Sequence, residues 1–151
     1  MVSARVLLTS VLALSACSGP STSPDPPTAS AGFGNAPATS AAFTSPSGNI
    51  GCYVDRDGAR CDIVKKSWKP PAKPSDCDLA WGSSISLNSS SQQPMFTCAG
   101  DTVLGADKIL NYGETIQVGD LRCDSTSQRT RCEDTGTGHG FTLAIEQYTI
   151  F

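Results

Sequence analysis

Cysteine spacing constrains the fold of this chain more than any other feature of its sequence. Seven cysteines occur in 151 residues, at Cys17, Cys52, Cys61, Cys77, Cys98, Cys123 and Cys132. Two pairs, Cys52 with Cys61 and Cys123 with Cys132, each enclose eight residues. In an antiparallel hairpin the opposed cysteines lie about 4.5–5.5 Å apart, a distance that a disulfide can bridge. We therefore predict two cross-linked hairpins, and we expect the remaining pair, Cys77 and Cys98, to form a third disulfide.

The two predicted hairpins also resemble each other in sequence. Ala59-Arg60-Cys61 in the first corresponds to Thr130-Arg131-Cys132 in the second. An old duplication and a chance match would each explain such a short similarity.

A metal site is the alternative use of these cysteines. Structural zinc usually requires closely spaced Cys-x-x-Cys pairs or paired histidines, whereas this chain has eight-residue gaps and a single histidine, His139. Disulfides also suit an oxidising, extracytoplasmic compartment. We therefore expect three disulfides, no metal and no cofactor.

The first residues predict where the chain is held. Arg5 is followed by an apolar run, residues 6–14, and then by Leu14-Ser15-Ala16-Cys17. This order resembles the lipobox of bacterial lipoproteins, a resemblance that implies a signal peptide over residues 1–16 and a diacylglycerol on the Cys17 thiol. Plain secretion, with a cut after Ser15, is the alternative. We do not expect a transmembrane anchor, because the apolar run has about ten residues and roughly twenty are needed to span a bilayer. We expect a lipid-anchored protein on the extracytoplasmic face of the cell membrane.

Charge argues against nucleic acid as a partner. Without Arg5, the chain has ten Lys and Arg against fourteen Asp and Glu, a net charge of −4. Nucleic-acid binders concentrate basic residues on one face to neutralise phosphates, and the basic residues here are scattered. We expect membrane contact through the lipid, and a wall component or envelope protein as the partner.

Composition separates a tether from a folded domain. Residues 17–42 are almost entirely Ser, Thr, Pro, Ala and Gly, a composition that buries too little apolar surface to offset the entropy of ordering. They predict a disordered tether that acts as a plain spacer. The alternative is a segment whose Ser and Thr residues carry sugars. The folded domain is then residues 43–151.

Short apolar alternations broken by turn residues predict an all-β domain. Ile50, Cys52 and Val54 share one strand face, and residues 115–123 are predicted as a single strand. Residues 103–110 are the best helical candidate but include a glycine and an aspartate. We predict seven or eight strands in a small antiparallel β-sandwich or barrel, closed by a paired strand near residues 148–151.

A second resemblance covers residues 43–151. Its motifs are Ser45-Pro46-Ser47-Gly48-Asn49-Ile50-Gly51-Cys52, Cys61-Asp62-Ile63, Cys98-Ala99-Gly100-Asp101-Thr102 and Thr137-Gly138-His139-Gly140-Phe141. They are similar to a family of secreted or lipid-anchored actinobacterial domains. The resemblance implies an actinobacterial envelope protein; it implies no activity, cofactor or catalytic residue, because none is established for that family.

Few residues suggest chemistry. A general base at His139 would need a nucleophile and an orienting carboxylate, for which Asp101 is one choice, and no Gly-x-Ser-x-Gly motif is present. We name no catalytic residue and take His139, Asp101 and Trp81 as candidate ligand-site residues. Trp68 is an alternative platform for a sugar, although tryptophans more often serve packing.

These observations favour a non-catalytic module that binds a wall component, a small ligand or a protein. A hydrolase of envelope polymers that uses His139 is the alternative. A protease-inhibitor-like scaffold is a third interpretation, based only on the density of disulfides and the rigid hairpin loops.

Overall fold

The computed structural model describes residues 38–89 and 93–151. The predictions for Cys17, the signal peptide and tether residues 17–37 lie outside these residues. No described residue belongs to a helix long and apolar enough to cross a membrane. The described residues form ten strands: β1 (Ser40–Thr44), β2 (Ile50–Asp55), β3 (Gly58–Ile63), β4 (Ser84–Asn88), β5 (Met95–Phe96), β6 (Thr115–Val118), β7 (Leu121–Ser125), β8 (Thr130–Asp134), β9 (Gly140–Leu143) and β10 (Tyr148–Ile150).

The ten strands form two antiparallel sheets of five, each of which follows chain order. Sheet 1 runs β1-β2-β3-β4-β5 and sheet 2 runs β10-β9-β8-β7-β6. β1 packs against β6 and β4 packs against β9, so the two sheets lie face to face. The predicted all-β, antiparallel fold is confirmed, and of the two predicted architectures it is the sandwich.

All three predicted disulfides are present: Cys52–Cys61, Cys77–Cys98 and Cys123–Cys132. The two hairpin disulfides join directly opposed residues whose Cα atoms are 4.1 Å apart in each case. Their sulfurs point into the core, as the alternation of apolar residues in β2 predicted, because Cys52 and Val54 are fully buried.

The two sheets share one cross-strand register. Counted in chain order, the two cysteines of each sheet occupy its second and third strands, and an apolar residue lies in register with them on each of the other three strands. In sheet 1 the row is Phe43, Cys52, Cys61, Ile85 and Phe96; in sheet 2 it is Ile116, Cys123, Cys132, Phe141 and Ile150. The rows meet at the centre of the sandwich, where Cys61 Sγ and Cys132 Sγ are 3.5 Å apart.

Two local predictions were wrong. Residues 115–123 are not one strand, because Gly119 adopts a φ of +60° and turns the chain between β6 and β7, with Val118 opposite Leu121. A glycine is favoured there because positive φ is costly for other residues. β1 begins at Ser40, so residues 40–42 belong to the sheet and not to the tether. Residues 103–110, the best helical candidate, form no helix, as their glycine and aspartate and the predicted all-β fold suggest.

The connection from sheet 1 to sheet 2, residues 97–114, crosses the outside of sheet 1. At Gly51 it approaches so closely that a Cβ would lie 2.7 Å from the Cα of Leu104. Further along, Thr44 N donates to Lys108 O at 2.8 Å and Leu110 N donates to Thr44 O at 3.0 Å. These bonds pair the last residue of β1 with the connection before the chain enters β6.

A buried carboxylate anchors this connection to the sheet. Arg60 donates to both oxygens of Asp62, each at 3.1 Å. Asp62 Oδ2 also accepts from Thr102 Oγ1 at 2.8 Å and from Val103 N at 3.1 Å. Burial raises the pKa of Asp62, but hydrogen bonds, the largest from Ser84, outweigh it and hold the pKa below its ordinary value.

We predict that Asp62→Asn lowers the free energy of unfolding by about 2 kcal/mol at pH 7, because it weakens charge-assisted bonds to a buried group. A lowered carboxyl pKa contributes stability above the unfolded pKa and loses that contribution as the pH falls below about 4. Denaturant unfolding at pH 7 and pH 3 should therefore show a smaller acid-induced loss in the variant than in the wild type. Asp124→Asn is the matched control, because the Arg122–Asp124 pair of sheet 2 is more exposed, and it should cost below about 1 kcal/mol. An unchanged acid-induced loss in Asp62→Asn would contradict this role.

Candidate functional site

Four aromatic side chains from distant parts of the chain meet where β5 and β10 end the two sheets. Phe96, on β5, lies at the centre of this aromatic cluster. Its ring centroid is 6.0 Å from that of Trp68, 5.8 Å from that of Trp81 and 5.0 Å from that of Tyr148. Trp68 and Tyr148 also contact each other, at 4.7 Å. The cluster joins the edges of both sheets, because Phe96 belongs to sheet 1 and Tyr148 to sheet 2.

Residues 64–83, which connect β3 to β4, place both tryptophans. Trp68 Nε1 donates to Ala144 O at 2.9 Å, a bond that reaches across to sheet 2. Trp81 Nε1 donates to Pro71 O at 3.0 Å. Gly82 has a φ of +88°, and a Cβ at this position would lie 2.4 Å from Pro70 Cγ. A glycine is therefore required for the turn that brings Trp81 onto this proline-rich segment.

A groove of about 830 Å³ lies along β5, and two residues of the aromatic cluster, Trp81 and Phe96, line it. The Cys77–Cys98 disulfide forms part of its wall. Most of its described lining residues are apolar: Pro71, Ala72, Pro74, Trp81, Pro94, Met95, Phe96 and Ile150. Asp76 is the only charged side chain among them, and Ser86, Asn88 and Thr97 supply polar groups. Grooves of this size, mostly apolar with a few polar groups, are typical of ligand sites.

The groove exposes large apolar side chains that a folded domain usually buries. Met95 is 55 % exposed and Ile150 is 37 % exposed, although both lie in strands at sheet edges. Prolines and a disulfide hold the walls with few rotatable side chains, so a ligand would pay little ordering entropy on binding. The arrangement suits contact with rings or aliphatic groups. Among the described lining residues, Asp76 alone could act as an acid or a base.

The three predicted ligand-site residues lie in separate places. Trp81 lies in the groove. Asp101 lies on the outside of sheet 1, where Arg60 Nη1 donates to its Oδ1 at 2.7 Å and Nη2 donates to its backbone oxygen at 2.8 Å. The bond and charge of Arg60 lower the pKa of Asp101. His139 lies in the turn between β8 and β9 of sheet 2. Within residues 38–89 and 93–151, no hydrogen bond, ion pair or ring contact joins any two of the three.

The surroundings of His139 do not form a catalytic dyad. In the part of the chain that the structure describes, no carboxylate forms an ion pair with its imidazole. The nearby Asp134 carboxylate instead caps the turn, with Oδ1 accepting from Gly136 N at 2.8 Å and from Thr137 N at 3.0 Å. His139 itself contributes its backbone oxygen, which accepts from Asp134 N at 2.9 Å. The observed bonds of His139 are those of a turn residue.

A second, smaller cavity of about 370 Å³ lies between three hairpin turns. Its walls come from residues 45–50, 126–130 and 144–146, together with Tyr112. Several of its hydroxyls already bond within their own turns; Ser45 Oγ, for example, lies 3.1 Å from Ser47 Oγ and accepts from Ile50 N at 3.1 Å. The lining of this cavity is more polar than that of the groove and does not indicate one class of ligand.

Comparison with known proteins identifies the family. Residues 27–151 match DUF6636, which is described as a family of unknown function. The chain belongs to DUF6636. The match covers every described residue of the sandwich and extends toward the N-terminus, so the aromatic cluster and the groove are parts of the DUF6636 region. No curated protein and no solved structure matches the chain. Membership in DUF6636 implies no activity for this chain, because the function of the family is unknown.

The sequence identifies one residue of the aromatic cluster as a ligand-site candidate and does not predict that the four aromatic residues meet. Trp81 is a predicted ligand-site residue. Trp68 is half-buried and packs on the core, the role that the sequence favours for it over an exposed sugar platform. Phe96 and Tyr148 gave no separate signal, because each reads as an ordinary strand residue. The only hint was the run of prolines around the tryptophans, at Pro70-Pro71 and Pro74.

We predict that Phe96→Ala lowers the free energy of unfolding by about 3 kcal/mol, because it empties the centre of the aromatic cluster. The neighbouring Met95→Ala is the matched control: it changes the same strand at a side chain that is 55 % exposed and should cost below about 0.5 kcal/mol. Denaturant unfolding with the disulfides intact measures both. Equal effects of the two substitutions would show that the cluster does not hold the sheet edges together.

Proposed function

We propose that this protein is a non-catalytic binding module of the cell envelope and that its ligand lies in the groove along β5. The observation that carries the proposal is the exposure of Met95 and Ile150 beside Trp81, in a groove whose walls are tied by a disulfide. Contiguous exposed apolar surface is costly to keep in water and commonly marks an interaction site.

The shape of the groove supports binding over catalysis. Trp81 is fixed at its Nε1 by Pro71, and the segment that carries both residues is tied to residue 98 by Cys77. The ligand is expected to present apolar or ring surface to the aromatic cluster and a few polar atoms to the rim. A wall component and an apolar segment of an envelope protein both have this chemistry.

The location is also part of the proposal. Leu14-Ser15-Ala16-Cys17 has the order of a lipobox, and the six other cysteines form disulfides, which persist in oxidising compartments. A lipid on Cys17 would hold the domain at the outer surface of the cytoplasmic membrane, with the residues between Cys17 and β1 as the spacer. The groove would then face molecules of the envelope.

Binding in the groove predicts that Met95→Glu abolishes capture of the ligand, because a carboxylate in an apolar groove must be desolvated. Val64→Glu is the matched control, since Val64 is 57 % exposed and lies outside the groove. Wild type and both variants would be used as baits for detergent-solubilised envelope and for purified cell-wall material. Species retained by wild type and Val64→Glu but lost by Met95→Glu support the proposal. Retention that Met95→Glu does not change, or no groove-dependent species at all, contradicts it.

Lipid anchoring predicts that membrane attachment depends on Cys17. Cys17→Ser should remove the fatty-acyl adduct from the mature N-terminus and shift the protein from the membrane fraction to the soluble or secreted fraction. Mass spectrometry of the mature N-terminal peptide and fractionation of cells measure the two effects. Ser15→Thr is the control that alters the same motif while retaining the thiol. An unmodified wild-type Cys17 would remove the lipoprotein part of the proposal without affecting the groove.

A further inference from the structure

The two hairpin disulfides are in contact across the core. Cys61 Sγ and Cys132 Sγ are 3.5 Å apart. The sulfurs of Cys52, Cys61 and Cys132 all lie within 4.8 Å of one another. All four cysteines of the two disulfides are 0 % exposed. A sulfur of one disulfide is therefore a direct neighbour of the other disulfide, although each bond closes a separate hairpin in a separate sheet.

We propose that these two disulfides form an exchange pair, in which a thiolate at either central cysteine moves the cross-link from within a sheet to between the sheets. With Cys61 as the thiolate, its Sγ attacks Cys132 Sγ; the Cys61–Cys132 bond forms, the Cys123–Cys132 bond breaks, and Cys123 leaves as a thiolate. One disulfide and one thiolate are present before and after, so the step needs no oxidant or reductant. The two sulfurs must approach by about 1.5 Å to reach bonding distance.

In the intact protein a thiol reductant starts the process. Two equivalents of the thiol reduce Cys52–Cys61 to two thiols and are oxidised to one disulfide, and the Cys61 thiolate then attacks Cys132. The product retains one core cross-link, which now joins β3 of sheet 1 to β8 of sheet 2. Both hairpins become free to open while the sheets stay linked, so the fold responds to a two-electron reduction by exchanging its cross-link. Sandwich folds do tolerate a disulfide between their sheets.

The test starts from a free thiol placed by mutation. Cys52→Ser, in a Cys17→Ser background so that the seventh cysteine contributes no thiol, leaves Cys61 as the initial thiolate. The folded protein is acid-quenched and alkylated under denaturing conditions, and its peptides are mapped without reduction. Because one cysteine disulfide replaces another, exchange predicts label on Cys61 and Cys123 in amounts within about tenfold of each other. It also predicts a linked peptide that contains Cys61 and Cys132.

A second variant and a control keep the test decisive. Cys123→Ser starts the exchange from the other sheet and should label Cys52 as well as Cys132, again with a Cys61–Cys132 peptide. Cys77→Ser leaves its free thiol on Cys98, outside the core pair, and should retain both hairpin disulfides with label on Cys98 alone. Label on Cys61 alone in Cys52→Ser and on Cys132 alone in Cys123→Ser, with no linked Cys61–Cys132 peptide, would overturn the proposal.

Discussion

The contact between two disulfides at the centre of the sandwich is the constraint on which the rest of the structure depends. Each sheet presents its cysteines at the same place in its row, and the rows meet at Cys61 and Cys132. On the loop-entropy model each bridge contributes roughly 2.5–3.5 kcal/mol, which is large beside the 5–15 kcal/mol by which domains are usually stable. The disulfides therefore contribute a substantial share of the stability of a fold built from short strands.

The two sheets are also completed by contacts outside the disulfide core. Residues 97–114 cross the outer face of sheet 1, where the Asp62 carboxylate of β3 accepts hydrogen bonds from them. At one edge, sheet 1 ends with the two-residue strand β5, and the aromatic cluster connects this edge to β10 of sheet 2. All four residues of the cluster belong to the core or pack against it, and two of them, Trp81 and Phe96, also line the groove. Packing and binding therefore involve neighbouring side chains of one strand. Substitution of Phe96 is expected to lower stability, whereas substitution of the adjacent, exposed Met95 is expected to affect binding.

The sequence predicted local structure well where neighbouring residues decide it. The register of Cys52 with Cys61 follows from eight residues of hairpin, and the alternation of Ile50, Cys52 and Val54 identifies the buried face. The turn at Gly119 was missed because Val118 and Leu121 continue an apolar pattern that a single strand also shows. The aromatic cluster depends on four residues that are distant in sequence, so local patterns could not predict it. Asp101 and His139 were selected for their chemistry, but their environments are set by Arg60 and by the turn at Asp134.

The most direct test of this account is peptide mapping of the wild-type protein without reduction, after alkylation of any free thiols. The account predicts three linked pairs, Cys52–Cys61, Cys77–Cys98 and Cys123–Cys132, with none of these six cysteines alkylated. Recovery of these cysteines as free thiols, or of pairs that link the hairpins differently, would contradict the sandwich frame on which both the groove and the exchange pair rest.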